Sequence, residues 1–166
     1  METNHSELRS SSGIYRARCA AALTSRVERY IDAVDSQFEV LKRCFGMEPQ
    51  IQRYQVEFAG EMTCYKGSGE IAISANDQNL DCNQPECFEG GLVFETIHCF
   101  LEPLRHPPHG IKYPRIGGNR LGESFSTIIE ICFLERIGAH AAASRYKGGA
   151  GMGKYHHPLL FALVEI

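Results

Sequence analysis

The sequence predicts an α+β fold with a long N-terminal helix, a small, mainly antiparallel sheet of about three strands, and two further helices that carry its reactive side chains. Three observations lead there. Apolar residues recur at helical spacing between Ile14 and Phe45, the pattern switches to strict alternation at Gln52, and a second helical run, Gly90 to Glu102, combines an apolar stripe with two acids and an imidazole. With 166 residues, 43% hydrophobic and 22% charged, the chain has the size and composition of one soluble globular domain that buries a real core. Seventeen basic and twenty acidic residues give a formal net charge of -3, so no global positive field favours nucleic acid or an anionic membrane.

Residues 1–13 are polar, with His5, Ser6 and Ser10 to Ser12 among them, and read as a mobile tail ahead of a single domain spanning 14–166. They contain no basic cluster followed by an apolar run, and no later stretch of about 18 apolar residues appears, so neither secretion nor membrane insertion by these routes is expected. Seven cysteines without a repeated spacing do not describe a disulfide framework, and a reducing, cytoplasmic setting is the simpler expectation. Cys82 and Cys87, with four residues between them, are read as part of a solvated turn in preference to a zinc knuckle.

From Ile14 to Phe45 the helical stripe is Val27, Ile31, Val34, Phe38, Leu41 and Phe45, with Gly46 as the C-terminal stop; Thr24-Ser25 leaves open a division into two helices. Tyr54, Val56 and Phe58 alternate with Gln55 and Glu57, which marks a strand with one buried face. Met62 to Lys66 and Glu70 to Ala75 read as two more strands, joined through Gly67-Ser68-Gly69. Asn76 to Phe88 is a polar connection, and Gly90-Gly91 permits close backbone approach where the next helix begins.

In that helix Leu92, Val93, Ile97, Phe100, Leu101 and Leu104 form the apolar stripe, while Glu95, His98 and Glu102 share another face. Pro103 is expected to kink or end it. Leu104 to Gly122 is a loop rich in Pro and Gly that carries Arg105, Lys112, Arg115 and Arg120 beside His106 and His109, with no acid. It reads as a solvated basic loop, or as a cleft wall that meets an anionic group on a ligand. The last clear helix, Leu121 to Ile137, takes Phe125, Ile128, Ile129, Cys132 and Phe133 as its apolar face, with Glu123 near its N-terminal end, where the helix dipole favours a carboxylate, and Gly138 as its stop.

Phe94-Glu95-Thr96-Ile97-His98 resembles the HExxH motif of zinc metallopeptidases, with Phe94 at the position of the first histidine. Downstream, Leu121-Gly122-Glu123-Ser124-Phe125-Ser126 resembles the segment of gluzincin-type peptidases in which a Glu, followed by a small residue, an aromatic and another small residue, supplies the third zinc ligand. The resemblance covers Gln52 to Gly138 and implies a zincin-like fold, with Glu95 as general base and His98 and Glu123 as metal ligands. Catalytic zinc normally has three protein ligands, so the phenyl ring at 94 implies a degenerate module without tight zinc binding, which holds a peptide or protein in its cleft. The alternative is an active zinc-dependent peptide hydrolase in which Glu102, His106 or His109 replaces the missing histidine, with Tyr146 or Tyr155 as an oxyanion donor.

Two other patterns are weaker. Glu95-Thr96-Ile97-His98 also fits the Glu-x-x-His repeat of di-iron bundles, but that needs a second such pair on another long helix, and none exists. Gly148 to Lys154 has the Gly and Lys spacing of a phosphate-binding loop, yet Tyr155 stands where Ser or Thr would reach magnesium, and a flexible connection is the simpler reading. The apolar run Pro158 to Ile166 has to be covered, either by the domain or by a second copy in a homo-oligomer.

Overall fold

The fold is taken from a computed structural model that describes residues 4–46, 48–81, 84–105 and 120–147, with only the backbone described for 102–105 and 120–124. It is α+β, as expected, but the sheet is larger and differently wired. Five strands, β1 (His5–Arg9), β2 (Tyr15–Ala20), β3 (Tyr54–Phe58), β4 (Cys64–Gly67) and β5 (Glu70–Ile73), lie in the order β1-β2-β3-β5-β4. The central three are parallel and only the two edge pairs, β1 with β2 and β4 with β5, are antiparallel. The expected mainly antiparallel three-stranded sheet is therefore corrected to a mixed one of five.

Both additional strands come from the N-terminal region. The polar composition of residues 1–13 reads as a tail, yet His5–Arg9 pairs along its length with β2. Its turn is held by side chains: Ser11 donates through its backbone N–H (2.7 Å) and hydroxyl (2.9 Å) to Asp32, and Ser12 donates likewise to Asp35 at 2.8 and 2.6 Å. The polar serines are thus satisfied by carboxylates of the following helix. The stretch from Ile14 is likewise not helical at its start. Tyr15, Ala17 and Cys19 are buried while Arg16 and Arg18 face outward, a two-residue period that makes β2.

Two helices follow, α1 (Thr24–Ser36) and α2 (Phe38–Phe45), broken at Gln37. Val27, Ile31, Val34, Phe38 and Leu41 are buried as expected, and Gly46, at φ +67°, closes α2 in the left-handed conformation. The hairpin of β4 and β5 turns through Gly67-Ser68-Gly69, all at positive φ, with an irregular register between Tyr65 and Gly67. Two 3-10 turns, Gln78–Asp81 and Pro85–Phe88, then lead into α3 (Gly91–Arg105).

Helix α3 continues through Pro103 to Arg105, so Pro103 does not end it at once. A proline in the last turn forfeits only a bond near the helix end. After residues 106–119, which lie outside the description, come α4 (Arg120–Arg136) and α5 (His140–Lys147). Between them Gly138 donates to the Glu135 carbonyl (3.2 Å) and Ala139 to that of Leu134 (2.8 Å), the pair of bonds of a Schellman cap.

The helices cover one face of the sheet. There Tyr15, Tyr54, Val56, Phe58, Ile71 and Ile73 meet Val27, Ile31, Phe38, Leu92, Ile97 and Phe100 in one core. The opposite face carries Arg16, Arg18, Gln55, Glu57 and Glu70, with a Lys66–Glu57 ion pair at 3.0 Å. Such one-sided burial suits a sheet with antiparallel edges. Among the described residues, no helix is long and apolar enough to cross a membrane.

Candidate functional site

Helix α3 sits centrally, in contact with α4 on one side and with the hairpin of β4 and β5 on another. Its first turn is fixed from outside. The Leu92 N–H donates to the Tyr30 hydroxyl of α1 at 3.1 Å, the Gly90 N–H donates to the Glu130 carboxylate of α4, and Asn79 donates to the Glu89 carbonyl at 2.9 Å. The first two bonds satisfy N–H groups that a helix start leaves without intrahelical acceptors, and the third satisfies the carbonyl just ahead of the helix. The close approach expected at Gly90-Gly91 is found at Gly91: a Cβ there would lie 2.7 Å from the Tyr30 hydroxyl and 3.0 Å from Asp77 Oδ2.

Glu95 and His98 are both buried, at 7% and 4% exposure, on the side of α3 that meets α4. His98 Nδ1 lies 3.1 Å from Ser126 Oγ, and the Phe94 ring stands edge-on to the imidazole, with centroids 4.7 Å apart and planes at 86°. With Nδ1 engaged by Ser126, Nε2 is the nitrogen through which His98 would ligate a metal. Thr96, on the opposite side, donates to the Leu92 carbonyl (2.7 Å) and meets the Tyr15 hydroxyl (3.1 Å), tying the helix to the sheet.

Helix α4 presents a different face from the expected one. Phe125 is 43% exposed, and Ile128, Ile129 and Cys132 are only half-buried. The buried positions are Ser126, Glu130, Ile131, Phe133 and Leu134. Phe133 alone belongs to both sets; polar and apolar residues are mixed on both faces of α4, so the apolar Phe125, Ile128 and Ile129 outvote the two polar residues that point inward, Ser126 and Glu130.

Glu130 is the residue that the sequence reading missed. Fully buried on α4, it accepts from the Gly90 N–H through Oε1, while Oε2 has no hydrogen-bond partner among the described residues. Burial pushes its carboxyl up to about 8; the Gly90 N–H and the Tyr146 hydroxyl pull it back, and Glu89 and Glu95 push it further up. Tyr146, half-buried on α5, is itself raised by burial and by Glu130. A signal existed: Ser126, Glu130, Phe133 and Leu134 follow the i, i+4, i+7, i+8 spacing of a buried stripe.

Glu123 falls in the first turn of α4, one turn before Ser126, as the dipole argument expects; its side chain, like that of Glu102, lies outside the described residues. So do His106, His109, Lys112, Arg115, Tyr155, the glycine-rich run from Gly148 to Lys154 and the segment Pro158 to Ile166. Cys87 is disulfide-bonded, Cys19, Cys44, Cys64, Cys99 and Cys132 are free thiols, and Cys82 lies outside the described residues. Among the described residues no group of three His, Cys, Asp or Glu side chains converges as a metal site. The site is thus a buried polar seam between α3 and α4, built from Glu95, His98, Ser126 and Glu130 in an α+β protein with a mixed five-stranded sheet. No family model matches the chain, and no significantly similar curated protein or solved structure was found.

Proposed function

We propose that the chain is a degenerate zincin-like module that has lost tight zinc binding and holds a peptide or protein segment in the cleft beside α3. The observation that carries this reading is Phe94 against His98. An apolar ring, not a third ligand, occupies the space next to the imidazole. His98 and Glu123 alone fall one short of the three protein ligands that a catalytic zinc normally has. Supporting it, β4 is an antiparallel edge strand packed near α3, and its outer edge can extend the sheet with an incoming peptide. Met62, 70% exposed just before β4, offers an apolar contact to such a segment.

The second reading is an active zinc-dependent hydrolase with Glu95 as general base. It is favoured by the Ser126 hydrogen bond, which orients His98 as outer partners orient metal-bound histidines. Zinc content after dialysis, measured for the wild type, Phe94→His and Glu123→Ala, separates the two. The degenerate module predicts an empty wild type and a Phe94→His variant that gains about one zinc per chain. A wild type that holds zinc and loses it in Glu123→Ala supports the hydrolase instead. No zinc in any variant overturns the zincin-like reading itself.

A further inference from the structure

We propose that Cys44 and Cys132 are a closable thiol pair, joined into a disulfide between α2 and α4 by a disulfide oxidant of the glutathione class. Helix α2 packs directly on α4, and Cys44 lies in the last turn of α2. Cys132 and Arg136 are one turn apart on α4 and so share a face, and both groups act electrostatically on the Cys44 thiol. That face of α4 is therefore the one turned toward Cys44. The stack of Phe45 on Phe100, 4.4 Å between centroids and 15° between planes, holds the end of α2 in place.

Both thiols are free and half-buried, which leaves them reachable, whereas Cys19 and Cys99 are buried. Cys64, the other half-buried free thiol, sits on β4 at the edge of the sheet. Burial holds the Cys44 thiol above its ordinary range; Arg136 draws it back, Cys132 pushes it further up and Arg43 draws it back. The Cys44 thiol is therefore slow to react near neutrality and faster in mild alkali.

The chemistry balances with the oxidant alone. One cysteine loses its proton to water and attacks the sulfur–sulfur bond of oxidised glutathione, releasing one glutathione thiolate and leaving a mixed disulfide. The second cysteine, also deprotonated, attacks the protein sulfur of that mixed disulfide and expels the second glutathione. Two protein thiols are oxidised to one disulfide, and one oxidised glutathione is reduced to two thiols. The new bond ties α2 to the helix that carries Ser126 and Glu130, closing a long loop of chain.

The test is to incubate the native full chain with oxidised glutathione, quench with acid, alkylate and map the peptides. The expected result is a product with two fewer free thiols, no retained glutathione, one cross-linked peptide containing Cys44 and Cys132, and a higher thermal midpoint. Cys44→Ser should leave Cys132 as a persistent glutathione adduct. Glutathione retained on Cys44 or Cys132 in the wild type, a bond from either to Cys64, or both left as thiols would overturn the proposal. The wild-type map decides it even if the variant misfolds.

Discussion

The imidazole of His98 is held from two directions, by the Ser126 hydroxyl 3.1 Å from Nδ1 and by the edge-on ring of Phe94, 4.7 Å away between centroids. One contact is polar and orienting, the other apolar and excluding. Together they fix the orientation of a buried imidazole ring.

Replacing Ser126 by alanine separates these contributions. It leaves a buried ring nitrogen without this partner and should cost about 1–3 kcal/mol in urea unfolding. In a Phe94→His background the same change should weaken zinc binding by about 10-fold to 100-fold, as loss of an outer partner does at metal-bound histidines. Unaltered zinc affinity would leave Ser126 a purely structural role.

Glu130 sets a pH dependence. Burial pushes its carboxyl up to about 8 from an ordinary value of 4.5, so the folded state holds the proton more tightly than the unfolded chain. Stability is full below the ordinary value, falls as pH rises between the two, and is lowest above 8. The change is on the order of 5 kcal/mol, and Glu130→Gln should abolish this component. Urea midpoints measured at both ends of the window, for both proteins, check it: equal slopes would show that Glu130 is not the group responsible.

Gly91 tests the entry into α3. Its φ is +52°, and an added Cβ would press on the Tyr30 hydroxyl and Asp77. Gly91→Ala should cost about 1–3 kcal/mol from the backbone alone, with steric strain in addition. Measured against Tyr30→Phe alone, which itself removes the acceptor of the Leu92 N–H, the double variant should recover only the strain against the Tyr30 hydroxyl, because φ stays unfavourable and Asp77 still crowds the Cβ. Thermal midpoints of the single and double variants give the division.

The N-terminal hairpin gives a fourth test. Asp35 is 8% exposed and accepts both the Ser12 N–H and the Ser12 hydroxyl. Asp35→Ala should cost about 1–3 kcal/mol and raise hydrogen exchange first in His5–Arg9, the edge strand beyond the turn. Exchange that rises equally in β3 would mean that the hairpin does not open as a unit.

Where side chains were large and regularly spaced, the sequence was legible. The stripe from Val27 to Leu41, the alternation of Tyr54, Val56 and Phe58, the hairpin at Ser68 and the course of α3 all appear where their periods place them. Strand β2 was hidden because two of its inward residues, Ala17 and Cys19, are small and adjoin a strong helical pattern. Strand β1 was hidden because it is a polar edge, and its register depends on a partner strand that was itself not seen. At the site, Glu95 and His98 stood out on α3, whereas Glu130 lay among isoleucines whose number pointed to the wrong face of α4. The Phe94–His98 contact follows from four-residue spacing on one helix; the Gly90–Glu130 bond, across forty residues, follows from no local rule.

That bond also bears on the order in which the molecule assembles. The first turn of α3 rests on Tyr30, sixty-two residues upstream of Leu92, and on Glu130, and its sheet-facing side on Tyr15. During synthesis α3 leaves the ribosome with only the upstream supports in place. It acquires its full set only when α4 has followed, so the seam of Glu95 and His98 is completed late, by nonlocal contacts of the kind that slow folding. A nascent chain arrested before residue 120 would carry every upstream element of the sheet and still expose the side of α3 that α4 covers.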